Sequence, residues 1–138
     1  MDKDDQKRQA NFATREDLPP GHDRGAEGVY AKVLIDSKTT SAKGLAFGHI
    51  SFGAGSCVPA HTRQVEEFIY VIEGTATILS CEKEFVLHPG DAIYIPAGTE
   101  HQHVNREASQ TLHQLYIFSP PGPEQGVREW PLADDGPQ

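Results

Sequence analysis

Between residues 28 and 119, glycine, proline and short polar runs cut the chain into a series of short apolar segments. The segments that remain are short and rich in β-branched and aromatic side chains. GVYAKVLI (28–35) is followed by the polar run DSKTTSAKG, and GLAFGHISF (44–52) is closed by GAGS. EEFIYVIEG (66–74), TATILSC (75–81) and EFVLH (84–88) come next, then AIYIP (92–96) between the turns Pro89-Gly90-Asp91 and Ala97-Gly98-Thr99. HQHVN (101–105) and TLHQLYIFS (111–119) end the series. No window of about ten residues carries an apolar stripe of helical period. Short strands at this spacing predict an all-β sandwich or small barrel.

The flanks differ in composition. Residues 1–27 carry seven acids and five bases around a single Phe12, which predicts a solvated arm, frayed unless something docks it. Residues 119–138 hold five of the ten prolines, so this tail is expected to run extended over the surface, pinned by Trp130 and Leu132. The organisation expected is a polar arm (1–27), one β domain (28–118) and a Pro-rich tail (119–138). A hydrophobic share of 37% in 138 residues suits one modest core with polar flanks. A net charge of −8, with no block of Lys and Arg, disfavours a phosphate backbone as partner. No apolar stretch is long enough to span a bilayer, and the amino end lacks the apolar core of a secretory signal. Cys57 and Cys81 are too few for a disulfide scaffold and suit a reducing compartment. A cytoplasmic protein with a small-molecule partner, and neither nucleic acid nor membrane, is the expectation.

Four residues with metal-binding or proton-transfer chemistry lie beside the turns: His61, Glu67, His101 and His103. His61 and Glu67 are an even number of residues apart and would share a face if one strand held both; His101, His103 and Asn105 share a face in the same way. Neutral imidazole and carboxylate suit Fe(II), Mn, Zn or Ni, and two His with one carboxylate form a facial set with open positions.

Gly55-SCVPA-His61-T-Arg63-QVE-Glu67-FIYVIE-Gly74 resembles the first cupin motif, G-x5-H-x-H-x3-E-x6-G, departing only where Arg63 replaces the second His. Gly90-DAIYI-Pro96-A-Gly98-TE-His101-QHV-Asn105 is similar to the second motif, G-x5-P-x-G-x2-H-x3-N, at every defined position. The resemblance spans roughly residues 55–105. It implies a single cupin barrel, a double-stranded β-helix in jelly-roll order, and a homodimer. It also implies that His61, Glu67 and His101 bind a divalent ion, with the fourth ligand missing where Arg63 stands.

A guanidinium has no lone pair to offer a metal. Arg63 is read either as a fork for a substrate carboxylate or as a rim residue paired with Glu66. His103, on the His101 face, is expected to contact substrate as a base rather than to ligate, and Gln64 is a weaker substitute ligand. His49 and His113 are candidates for the cavity, His88 and His22 for solvent. Tyr70, Tyr94 and Tyr116 are expected as wall aromatics. Phe47, Phe52, Ile69, Val71, Ile93, Ile95, Leu115 and Ile117 are expected as core or cavity lining, and Cys57 as a buried thiol. The function expected first is a metal-dependent dioxygenase acting on a small, anionic organic molecule, with a lyase, isomerase or cyclase next. The alternative is a barrel that binds or senses a small ligand without chemistry, which the loss of one ligand at Arg63 would accompany.

Overall fold

A computed structural model describes residues 10–12, 21–24 and 28–132. Among the described residues nine strands form: β1 (His22–Asp23), β2 (Val29–Ile35), β3 (Ala46–Phe52), β4 (Glu66–Glu73), β5 (Ala76–Ser80), β6 (Lys83–Leu87), β7 (Ala92–Ile95), β8 (Gln102–Val104) and β9 (Leu112–Ser119). They make two antiparallel sheets, one of six strands in the order β1-β2-β3-β9-β4-β7 and one of three in the order β6-β5-β8. The segment before β4 adds to the small sheet through bridges from Cys57 to Val104 and from His61 to His101.

Alternation decides which side chains meet between the sheets. Along β9, Leu112, Gln114, Tyr116 and Phe118 are buried while their neighbours are half-exposed. On β4 the inward set is Glu67, Ile69 and Val71, with Phe68, Tyr70 and Ile72 facing out. Val29, Phe52, Val71, Ile78 and Leu112 form the main core, and each such side chain contributes about 1.5–3 kcal/mol by leaving water. Ile95 is buried with them and Ile93 packs against them. Phe47, Leu115 and Ile117, expected as lining, instead share an outer groove of the large sheet with Phe68, Tyr70 and Tyr94. Parity explains this: each is one residue away from an inward position.

Asn105 shows why the second motif ends as it does. Its Nδ2 donates to the carbonyls of Phe52, Gly53 and Gln110 at 3.0, 3.1 and 2.8 Å, and its Oδ1 accepts from the Glu107 N–H. One fully buried amide thus ties three chain segments together.

The tail departs from expectation. In place of an extended run, Glu124–Arg128 make one short helix, α1, with Pro123 at its start, where a missing N–H costs nothing. Val127 packs on Ala31 and Val33, and Trp130 lies against both this cluster and the main core. The Leu132 side chain is exposed. Cys57 is also exposed rather than buried, as is Cys81, and both are free thiols. Most of the arm lies outside the described residues. Of its described parts, Asn11 hydrogen-bonds Ser41, and β1 pairs with β2.

A polar tie fastens α1 to the end of β2. Arg128 Nη2 lies 2.6 Å from Asp36 Oδ2, and Gln125 Nε2 donates to the same oxygen at 3.2 Å. Burial opposes ionisation of Asp36, but the Lys38 N–H, Arg128 and Gln125 outweigh it and hold the carboxyl below its ordinary 3.8. Arg128→Ala is therefore expected to lower stability by about 1–3 kcal/mol at neutral pH, read by urea unfolding. The effect should be full above the ordinary carboxyl value and fade as pH falls through the lowered one. An unchanged midpoint at pH 7 would show that the tie carries no stability. Among the described residues no helix is long and apolar enough to cross a membrane.

Candidate metal centre and its cavity

His61 and His101 stand directly opposite each other, and each donates its backbone N–H to the other's carbonyl at 2.9 Å. Such a pair puts both side chains on one face. The Pro96–Thr99 turn aims the second of them: Gly98, at φ +82°, bends the chain back, and its N–H bonds the Arg63 carbonyl at 2.8 Å. His103 follows His101 by two residues and shares its face. The ring centroids are 4.4 Å apart for His61 and His101, 5.1 Å for His101 and His103, and 5.8 Å for His61 and His103. Each of the three rings offers a nitrogen within 4.8 Å of the other two. Glu67 arrives from the opposite sheet, on β4, so it does not share a strand with His61. Its Oε2 is 2.9 Å from His101 Nε2 and 3.3 Å from His103 Nε2.

Proton positions follow from the partners. The carbonyls of Pro59 and Thr99 lie 3.0 Å from Nδ1 of His61 and His101. A carbonyl only accepts, so each Nδ1 carries the proton and each Nε2 of the neutral ring keeps its lone pair. Burial, helped by Arg63 and the neighbouring imidazoles, pushes His61 down to about 4, so this ring is neutral at pH 7. Burial would raise Glu67, but the two imidazoles hold it well below the usual carboxylate range. Burial would lower His101, yet Glu67 and the Thr99 carbonyl raise it.

These groups fit a cation. His61 Nε2, His101 Nε2, His103 Nδ1 and Glu67 Oε2 are all buried without a hydrogen-bond partner of good geometry, although the carboxylate is within contact distance of two rings. A lone pair facing a carboxylate oxygen at 2.9 Å is repulsive unless positive charge lies beside it. A proton on His101 would satisfy that one contact; a divalent ion, for which imidazole and carboxylate are ordinary donors, would supply the positive charge beside the cluster. The orienting carbonyls on Nδ1 are the second layer such a centre needs.

The centre opens on a cavity of about 290 Å³, lined on one side by His61, His103, Glu67 and Arg63. Gln114, Tyr116 and Phe118 of β9 form another wall, and Gly126, Val127 and Trp130 of the tail a third. Arg63 does not pair with Glu66, whose carboxylate accepts from the Tyr94 hydroxyl at 2.6 Å. Its guanidinium carbon lies 5.2 Å over the Phe118 ring, and its Nε is 3.8 Å from Glu67 Oε1. His49 and His113 face outward, Nε2 to Nδ1 at 3.1 Å, and neither lines the cavity. His88 is exposed beside Asp91, Gln64 is exposed, and the side chain of His22 lies outside the described residues. Tyr70 and Tyr94 are on the outer face. Tyr116 is buried, and burial above all, then Glu124, pushes its phenol up, so it is a neutral hydroxyl at pH 7. Reading the sequence missed Gln114 and the tail wall. An inward parity for Gln114 on an otherwise apolar strand face was the available signal for the first.

Comparison with known proteins agrees with this architecture. An RmlC-like cupin from Shewanella frigidimarina superposes with a TM-score of 0.70 at 21% identity, over 85% of this chain and 96% of that one. KdgF from Halomonas sp. gives 0.69 at 20% identity, over 85% and 99%. The polyketide cyclase RemF from Streptomyces resistomycificus gives 0.69 at 24% identity, over 82% and 81%. No curated protein matches the chain in sequence. Residues 48–118, just over half of the chain, match the family described as Cupin domain (Cupin_2), and with both motifs and the two-sheet barrel in place the chain belongs to the cupin family.

Proposed function

We propose that this protein is a divalent-metal-dependent enzyme acting on a small, anionic organic molecule. The observation that carries the reading is that three imidazoles each offer a nitrogen within 4.8 Å of the other two, with one carboxylate against two of them, beside a cavity. His61, His101 and His103 would hold the ion, and Glu67 beside two of them supplies negative charge that balances it. Fe(II), Zn and Ni suit three imidazoles best. When bound, the ion supplies Lewis acidity or a site for O₂.

The chain's own residues do the rest. Arg63, a permanent cation at the cavity wall, binds the substrate's anionic group. Glu67 stays ionised and holds the His101 and His103 rings in place. Tyr116 lines the cavity with a neutral hydroxyl that has no protein partner and can donate a hydrogen bond. Phe52, Phe118 and Trp130 exclude water. Lyase, isomerase or cyclase chemistry needs only Lewis acidity and a bound anion, and a polyketide cyclase on the same fold supports that such a barrel hosts it. The open cavity face beside the three rings supports the dioxygenase reading second.

Elemental analysis of the purified full chain is the test, with about one divalent ion per chain expected. A content well below this, unchanged after incubation with Fe(II), Zn and Ni, would favour the non-catalytic binding barrel. Activity found by a substrate screen on the loaded protein should survive removal of oxygen; its loss under argon would restore the dioxygenase to first place.

A further inference from the structure

Gln114 lies in the middle of β9, opposite Ile50 of β3 and Val71 of β4. It has no exposed surface, it lines the cavity, and neither Oε1 nor Nε2 has a hydrogen-bond partner in the protein. Two residues along the same face, Tyr116 is 3% exposed and its hydroxyl is unpartnered as well. Leaving a buried amide and a buried hydroxyl unpaired on one strand face is costly, and an apolar pair would fill the same wall without that cost. Tyr116 is also given its place deliberately. A Cβ on Gly48 would sit 2.2 Å from the Tyr116 hydroxyl and 2.3 Å from its Cζ, so only glycine there lets the phenol lie against β3.

The row continues to Phe118, over which the Arg63 guanidinium rests. Successive inward residues on a strand are about 6–7 Å apart. The wall therefore offers a donor-only cation at one end and, about one or two such steps away, two neutral groups that both donate and accept. Ile50, Phe52 and Phe118 make the surroundings apolar. We propose that Gln114 and Tyr116 recognise a neutral oxygen of the substrate. The substrate class is then a small carboxylate with an apolar body and a hydroxyl or carbonyl at the end remote from its charge. This deepens the reading of the cavity as a substrate site and does not require the ion.

Calorimetric titration of the full chain with 4-hydroxyphenylacetate and phenylacetate, which differ only in the remote hydroxyl, tests it. The hydroxylated probe is expected to bind about tenfold more tightly or better. Gln114→Leu and Tyr116→Phe should each erode that preference, and the double variant should abolish it, while phenylacetate affinity changes by less than about threefold in either single variant. The melting temperature of Gln114→Leu should stay level or rise; a marked fall would make the amide a structural group and overturn the proposal. Equal binding of the two probes, no binding of either at millimolar concentration, or a preference that outlives the double variant would overturn it too. Metal content measured on the same samples keeps the two readings apart. A preference without an ion sinks the metal centre alone, and an ion without a preference sinks only this inference.

Discussion

A His103→Ala variant is expected to lose its divalent ion, with affinity falling at least about 100-fold, while the barrel stays folded. The reason lies in how the three rings are held. His61 and His101 face each other across a reciprocal backbone pair, and His103 completes the set from the same strand face. Two imidazoles without the third leave Glu67 as the remaining donor, reached from the far sheet. Glu67→Gln should weaken the ion by about 10–100-fold, less than the loss of a ring, because an amide keeps an oxygen beside His101. Metal content after dialysis, with circular dichroism to confirm the fold, measures both. An ion that stays in His103→Ala but leaves in Glu67→Gln would restore the ligand set His61, Glu67 and His101 that the motif alone implies.

That comparison also marks how far the sequence can be read. The strand segments, the turns and the shared face of His101 and His103 follow from period-two alternation and from the Gly and Pro positions. What alternation cannot say is how close two rings on one face come to a third that arrives from another segment. The bridge between His61 and His101 settles this, and it is a long-range pairing with no local signature. Parity was equally silent where register depends on partners. His49, His113, Phe47, Leu115 and Ile117 all sit one step away from inward positions and so face out. The tail helix was invisible for a different reason. One turn of five residues between prolines has no period to detect, and Val127 with Trp130 makes it worth forming only once the barrel wall exists.

Gly74→Ala is expected to cost about 3–5 kcal/mol. Gly74 closes the first motif at φ +89°, and a Cβ there would lie 2.8 Å from the Thr111 carbonyl oxygen and 2.9 Å from Leu112 Cα. Both obstacles are backbone and belong to β9 and the loop before it, so neither can swing aside. Gly98, at φ +82°, has nothing within 4 Å of such a Cβ. Gly98→Ala should therefore pay only the left-handed backbone term, about 1–2 kcal/mol. Denaturant midpoints of the two variants, measured together, separate contact from conformation. Equal losses would show that the close approach of Gly74 to the start of β9 contributes nothing.

The chamber is closed by a piece of chain that belongs to neither sheet. Gly126, Val127 and Trp130 line it, and the Arg128–Asp36 tie holds them there. Changes confined to these last described residues can reshape what enters without touching the face that would grip the ion. Choice of guest and chemistry at the centre can thus diverge separately in evolution.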